Sequence, residues 1–357
     1  VADQALAWLS THGHTESAQP VLTALVSRPD LPPQQTTQVI QQALDWLTVH
    51  GQTQEAQYLV GSLLAIPHVD GDEAARALAY ARTWLAAHGD IESAQVVLSA
   101  ALLHKGLSQE DAHVVVDQAL HWLDSYGDRL DSWLVQSAAL RRDDLPPNAL
   151  HQFVRYALDW LRSDGASPEA RFVVNPLLQR TDLAPEEAHE ATTLALRWLE
   201  GHGHDTDLDP EFVLRELLKR TDLGTDEARA VADQALAWLS THGRTPSSQP
   251  VLTALVSRPD LPPQQTTQVI QQALDWLTVH GQTQEAQYLL RSLLTIPHVA
   301  GDETARILAY ARTWLAAHGD IESARFVLSA ALLHKGLSQE DAHVVVDQAL
   351  HWLDSYG

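Results

Sequence analysis

A Trp-Leu pair recurs ten times along the chain, and its spacing constrains the fold more than any other feature. The tryptophans are Trp8, Trp46, Trp84, Trp122, Trp160, Trp198, Trp238, Trp276, Trp314 and Trp352, separated by 38 residues except for one step of 40 between Trp198 and Trp238. A period of this size marks a repeat architecture. Each repeat reads as two helices. From Leu107 to Arg142, Ser108 stands three residues before Asp111, close to a capping box, and apolar residues follow at Ala112, Val115, Val116, Ala119, Leu120, Trp122 and Leu123. That stripe has the 3.6-residue period of an amphipathic helix. In other repeats Pro33, Pro147 and Pro185 stand near the same start, where a first-turn proline is tolerated.

A glycine follows each repeat Trp by five residues, from Gly13 to Gly357, as a left-handed helix end requires. A second helix then runs through Ala94, Val97, Leu98, Ala101, Leu102 and Leu103, and several repeats close on Arg-x-Asp-Leu, as at Arg180–Leu183 and Arg220–Leu223. One hairpin cannot bury its apolar face alone, so neighbours must stack. The expected fold is all-α: an α-α superhelix, a right-handed solenoid of antiparallel helix pairs with about nine 38-residue repeats. Residues 1–357 are expected to form one continuous solenoid, a fragment of a longer array, because the chain opens and closes inside repeats.

Gly89, Ala94, Leu98 and Ala101 in one repeat, and Gly51, Ala56, Val60 and Leu63 in another, carry a spacing that resembles the tetratricopeptide repeat. Sel1-like and pentatricopeptide hairpins share much of it. Tetratricopeptide repeats are shorter, about 34 residues, and usually carry a proline where Asp182 and Asp222 stand. The resemblance implies a concave surface lined by first helices that receives a peptide or protein. On that geometry the concave stripe lies eight, five and one residues before each Trp and two and three after it.

Acidic residues outnumber basic ones 46 to 23, giving a net charge of -23, and the only lysines are Lys105, Lys219 and Lys335. Such a balance repels nucleic acid and anionic membranes. There are no cysteines, which removes thiolate sites and disulfides. No apolar run approaches the ~18 residues a membrane helix needs, and no signal peptide is visible; a cytoplasmic location is expected. No nucleophile motif or phosphate loop is present, so no enzymatic activity and no cofactor are expected.

Seven histidines precede the recurring glycine: His12, His50, His88, His202, His242, His280 and His318. Stacked helices lie about 8–10 Å apart, whereas zinc holds nitrogen ligands at about 2.0–2.1 Å, so a packing role fits better than a metal site. The candidate partner-binding residues are Arg76, Arg155, Arg162 and Arg197 on the inferred concave stripe, plus Trp133. Arginines on one face could clamp a carboxylate or phosphate; alternatively Arg155 pairs with Asp159 along its helix. Trp133, outside the ladder, reads either as an interface anchor or as filler beside Ser132.

Residues 1–127 and 231–357 are near-copies flanking a distinct middle, 128–230. They differ at eleven positions: His14/Arg244, Glu16/Pro246, Ala18/Ser248, Val60/Leu290, Gly61/Arg291, Ala65/Thr295, Asp70/Ala300, Ala74/Thr304, Ala77/Ile307, Gln95/Arg325 and Val96/Phe326. None falls on the first-helix stripe. The expected function is a non-catalytic scaffold that binds a protein or peptide through the concave face lined by first helices, with no nucleic acid and no membrane, and with uncapped ends that could self-associate. A pentatricopeptide-like RNA-binding solenoid is the alternative, opposed by the charge; a spacer or sensor arm of a larger protein is another.

Overall fold

A computed structural model of the chain describes all residues except 1, 67–70, 297, 298, 300, 335, 336, 338 and 357. Gly357, Lys335 and the Asp70/Ala300 difference thus lie outside the described residues. Those described form 19 α-helices and no strand. Long first helices, such as Pro33–His50 and Gln109–Tyr126 at 18 residues each, alternate with short second helices. The latter are Gln19–Val26, Ala56–Leu64, Gln95–Leu103, Trp133–Leu140, Ala170–Gln179, Pro210–Lys219, Gln249–Val256, Ala286–Leu294 and Arg325–Leu333. The fold is a helical-repeat solenoid. It divides into two compact units, residues 1–187 and 188–357, with the boundary inside the helix Pro185–His202.

Local chemistry sets the helix ends. Ser108 Oγ accepts from the Asp111 amide at 3.1 Å, and the Glu187 and Glu227 carboxylates accept from the amides of Ala184 and Gly224 at 3.0 and 2.8 Å. Each satisfies a donor that the first turn leaves without an intrahelical partner. The terminating glycines differ from expectation. Gly51 has φ -63° and ψ -12°, right-handed, not left-handed. Glycine is needed there for close approach: a Cβ on Gly51 would fall 2.4 Å from the Leu47 carbonyl oxygen.

Each described tryptophan of the ladder from Trp46 to Trp314 is almost fully buried. Indole Nε1 reaches back to the preceding hairpin, donating to Thr15 from Trp46, to Thr53 from Trp84, to Ile91 from Trp122 and to Arg129 from Trp160, always to a carbonyl oxygen at 2.8–2.9 Å. The histidine four residues on stacks against the indole, at 4.7 Å between centroids for Trp46 and His50. His50, His88 and His280 also donate through Nε2 to the carbonyls of His14, Gln52 and Arg244 at 2.8–2.9 Å. The ladder is a set of inter-repeat packing units.

The 40-residue step breaks one rung. Two extra residues precede the second helix Pro210–Lys219, and Asp209 takes up the change with φ 50°. Trp238 Nε1 is left buried without a partner, whereas Trp276 Nε1 donates to the Thr245 carbonyl at 2.9 Å. Replacing Trp276 with Phe leaves that carbonyl unpaired; replacing Trp238 removes an orphan. Trp276→Phe should therefore destabilise by about 1–2 kcal/mol more than Trp238→Phe. Urea unfolding of the two variants checks this, and equal losses would refute it.

The Arg-x-Asp motif ties successive second helices together. Arg258 holds Asp260 in a two-pronged pair at 2.9 and 2.5 Å, and its Nη1 donates to the carbonyls of Leu218 and Arg220 at 2.9 and 3.0 Å. Arg142 does the same for Asp144 and the Leu102 carbonyl, and Arg180 for Asp182 and the carbonyls of Leu140 and Arg142. Hydrogen bonds from these arginines hold the carboxyls of Asp144, Asp182 and Asp260 below the usual carboxylate range. At the equivalent positions Ile66, His104, Ile296 and His334 no such fork can form. Burial pushes the His104 and His334 imidazoles below their ordinary pKa.

Within each unit, successive second helices run close together along their length, while the first helices, about twice as long, meet over shorter stretches. Gly61 permits one such approach, its Cα facing Val96 of the next second helix. Successive second helices thus form the more closely packed layer of each unit and first helices the looser one.

Candidate functional site

The second-helix layer differs in chemistry from the rest of the chain. The nine second helices carry five basic residues, Arg171, Arg215, Lys219, Arg291 and Arg325, against two acidic ones, Glu211 and Glu216. The remainder of the chain holds 18 basic and 44 acidic residues, the differences from the whole-chain totals of 23 and 46. The negative charge thus belongs to the first helices and connections.

One position on this layer is recurrently aromatic. Twelve residues after the repeat Trp stand Tyr58, Phe172, Tyr288 and Phe326; Phe212 occupies the equivalent place after the two-residue insertion. Four of these rings are about half exposed, Tyr58, Phe212, Tyr288 and Phe326 at 51%, 44%, 55% and 40%, and Phe172 is half-buried. Trp133, half-buried on the second helix before that of Phe172, stacks on it with centroids 4.7 Å apart and planes 20° from parallel. Arginines lie over the rings: Arg171 at 4.8 Å from Phe172, Arg215 at 5.2 Å from Phe212, and Arg291 and Arg325 at 5.1 and 4.8 Å from Phe326. A guanidinium over a ring face is attracted by the quadrupole; Arg215 also pairs with Glu216 at 2.9 Å and Arg325 with Glu322 at 3.0 Å.

Clefts open between these helices in both units. In residues 188–357, a cleft of about 750 Å³ is lined by Arg215, Lys219, Arg220, Thr253, Arg258 and Tyr288 among others. In residues 1–187, one of about 660 Å³ is bordered by Lys105, Arg141, Arg142 and Arg180, with Asp143 and Asp144 opposing them. Burial, reinforced by nearby Asp209, raises the Glu211 carboxyl pKa beside Phe212.

The sequence-derived candidates lie elsewhere, apart from Trp133. Arg76, on the first helix Asp72–His88, reaches Gln41 Oε1 at 3.4 Å and Asp45 Oδ1 at 3.7 Å. Arg155 and Arg162 share the first helix Pro147–Asp164. Arg162 pairs with Asp159, and Arg155 lies 5.2 Å from the Tyr156 ring. Arg197 is exposed on the first helix Pro185–His202, in the other unit. Trp133 is on a second helix as a stacking partner, while Ser132 beside it is buried and donates to the Arg129 carbonyl at 2.7 Å. The aromatic series is visible in the sequence as a fixed offset from Trp, on second helices where no binding stripe was expected.

No helix among the described residues is long and apolar enough to cross a membrane. No family model matches the chain, and no curated protein matches it. Among solved structures it is similar to the Puf3 RNA binding domain bound to Cox17 RNA 3′ UTR recognition sequence site A, at 11% identity over 91% of this chain and 96% of that one, with a TM-score of 0.42. It is also similar to APUM23-GGAGUUGACGG, at 10% identity over 98% and 88% of the two chains and a TM-score of 0.49. A third is the RNA-binding domain of yeast Puf5p bound to SMX2 RNA, at 10% identity over 96% of each chain and a TM-score of 0.35. The likeness is one of helical-repeat fold. These structures are named with RNA, against the expectation of a protein or peptide partner with nucleic acid excluded. That expectation weighed the net charge of -23 over the whole chain, and the second helices are not acidic.

Proposed function

We propose that this array binds single-stranded RNA along its second-helix layer, about one nucleotide per repeat. The observation that carries the reading is the row of part-exposed rings at one repeat position, interleaved with arginine: Tyr58, Phe172, Phe212, Tyr288 and Phe326. Unpaired bases stack on aromatic and guanidinium planes, and helical-repeat proteins can read one base per repeat with two or three side chains. Helices packed about 8–10 Å apart offer such platforms at regular intervals. Duplex RNA keeps its bases stacked inside and gains nothing from exposed rings. The acidic first helices repel a second strand or a non-specific polyanion, so selectivity for single strands accompanies a modest electrostatic contribution.

No catalytic role is part of this reading. Kinship with tetratricopeptide repeats is proposed at the level of packing alone: Ala94, Leu98 and Ala101 are all buried against neighbouring helices, as that spacing implies. Ultraviolet crosslinking of the chain to a thiouridine-substituted random single-stranded RNA pool tests the proposal. Crosslinked peptides should come from second helices carrying the aromatic series. Crosslinks confined to first helices would contradict it.

A further inference from the structure

The two near-identical blocks place three of their eleven differences at one spot. Gly61, Gln95 and Val96 in the first block are replaced by Arg291, Arg325 and Phe326 in the second. Those three replacements meet: Arg291, on the helix Ala286–Leu294, lies 5.1 Å from the Phe326 ring centroid, and Arg325 lies 4.8 Å from it. In the first block the same place is closed, since a Cβ on Gly61 would come within 2.9 Å of Val96 Cγ1. A side chain at position 61 thus requires the side chain at 96 to shift, which links the replacements physically.

Core packing does not account for the change. Phe326 is 40% exposed, so the larger ring adds uncovered apolar surface. Arg325 is 3.0 Å from Glu322 Oε1, and Arg291 lies on the same helix as the exposed Tyr288. The second block thereby holds two neighbouring exposed rings with two arginines, where the first has Tyr58 with Gly61, Gln95 and Val96.

Resting on the RNA-binding reading above, we infer that Arg291, Arg325 and Phe326 form a base-stacking subsite for single-stranded RNA that the second block possesses and the first lacks. A base stacks on the uncovered part of the Phe326 ring, and the two guanidiniums supply donors to the flanking phosphates. The two near-copies would then contribute unequally to RNA affinity.

The test exchanges residues that each block already tolerates within the same hairpin, so both variants are expected to fold. Full-length chain is titrated with a labelled random single-stranded RNA pool, beside Arg291→Gly/Arg325→Gln/Phe326→Val and the reciprocal Gly61→Arg/Gln95→Arg/Val96→Phe. Loss of one stacked base predicts roughly tenfold weaker binding for the first variant and tighter binding for the second. Circular dichroism of both should match the parent. If the parent binds RNA and neither exchange moves its affinity, the subsite is refuted while the RNA reading stands. If the parent binds no RNA, both fall.

Discussion

Trp160→Ala is expected to destabilise the protein by about 3–5 kcal/mol, the range for removing a large buried aromatic side chain. Trp160 is buried to within 1% of full enclosure, and its Nε1 donates to the Arg129 carbonyl of the preceding hairpin at 2.9 Å. Alanine at this position opens a cavity between two hairpins and leaves a buried carbonyl unpaired. The effect should be directional along the array, because repeat stability is a sum of local terms and nearest-neighbour interfaces. Trp8, 36% exposed in the first helix, should cost far less when changed in the same way. Urea unfolding followed by circular dichroism measures both; hydrogen exchange of Trp160→Ala should show lost protection concentrated in the hairpins flanking residue 160. Equal losses for the two variants would show that the ladder does not act through inter-repeat packing.

The combined variant Tyr58→Ala/Phe212→Ala/Tyr288→Ala should bind single-stranded RNA at least about a hundredfold more weakly. Each stacked base contributes about 1–3 kcal/mol, and even the lower figure summed over three rings exceeds two decades in affinity. All three rings are about half exposed, so their removal opens little cavity and the melting curve should shift only slightly. The control is Arg155→Ala/Arg162→Ala, which removes two positive charges from a first helix. On the present account it leaves RNA affinity within about twofold, as expected for charges screened beyond the ~10 Å Debye length at moderate salt. A reversal of the two outcomes would move the binding face back to the first helices.

Much of the architecture was legible because it follows from period and capping chemistry. The Trp spacing, Ser108 beside Asp111 and the prolines at helix starts each have one simple local reading, and the structure agrees with it. The glycine after each Trp was read from the commonest helix ending, whereas here it serves close approach to a carbonyl, as at Gly51. The Arg-x-Asp sequence was visible, but its second set of partners lies about 40 residues back, as Arg258 with Leu218 shows, and no local pattern reveals that.

The placement of a binding face was not legible in the sequence, for a physical reason. Sequence distinguishes two helices per hairpin; it does not say which successive helices pack more closely. Among the second helices, Tyr58, Phe172, Phe212, Tyr288 and Phe326 share one repeat position, and Trp133 stacks on Phe172. Net charge misled in the same way, since a sum over the chain hides a layer with five basic and two acidic residues.

The most direct measurement of the central claim is equilibrium binding of the intact chain to a random single-stranded RNA pool, against a duplex RNA of equal length, from about 50 to 200 mM salt. The account predicts saturable binding to the single strands, weak binding to the duplex, and a shallow salt dependence because stacking carries most of the affinity. Equal binding of both forms that collapses across the salt range, or no binding to single strands at all, would contradict it.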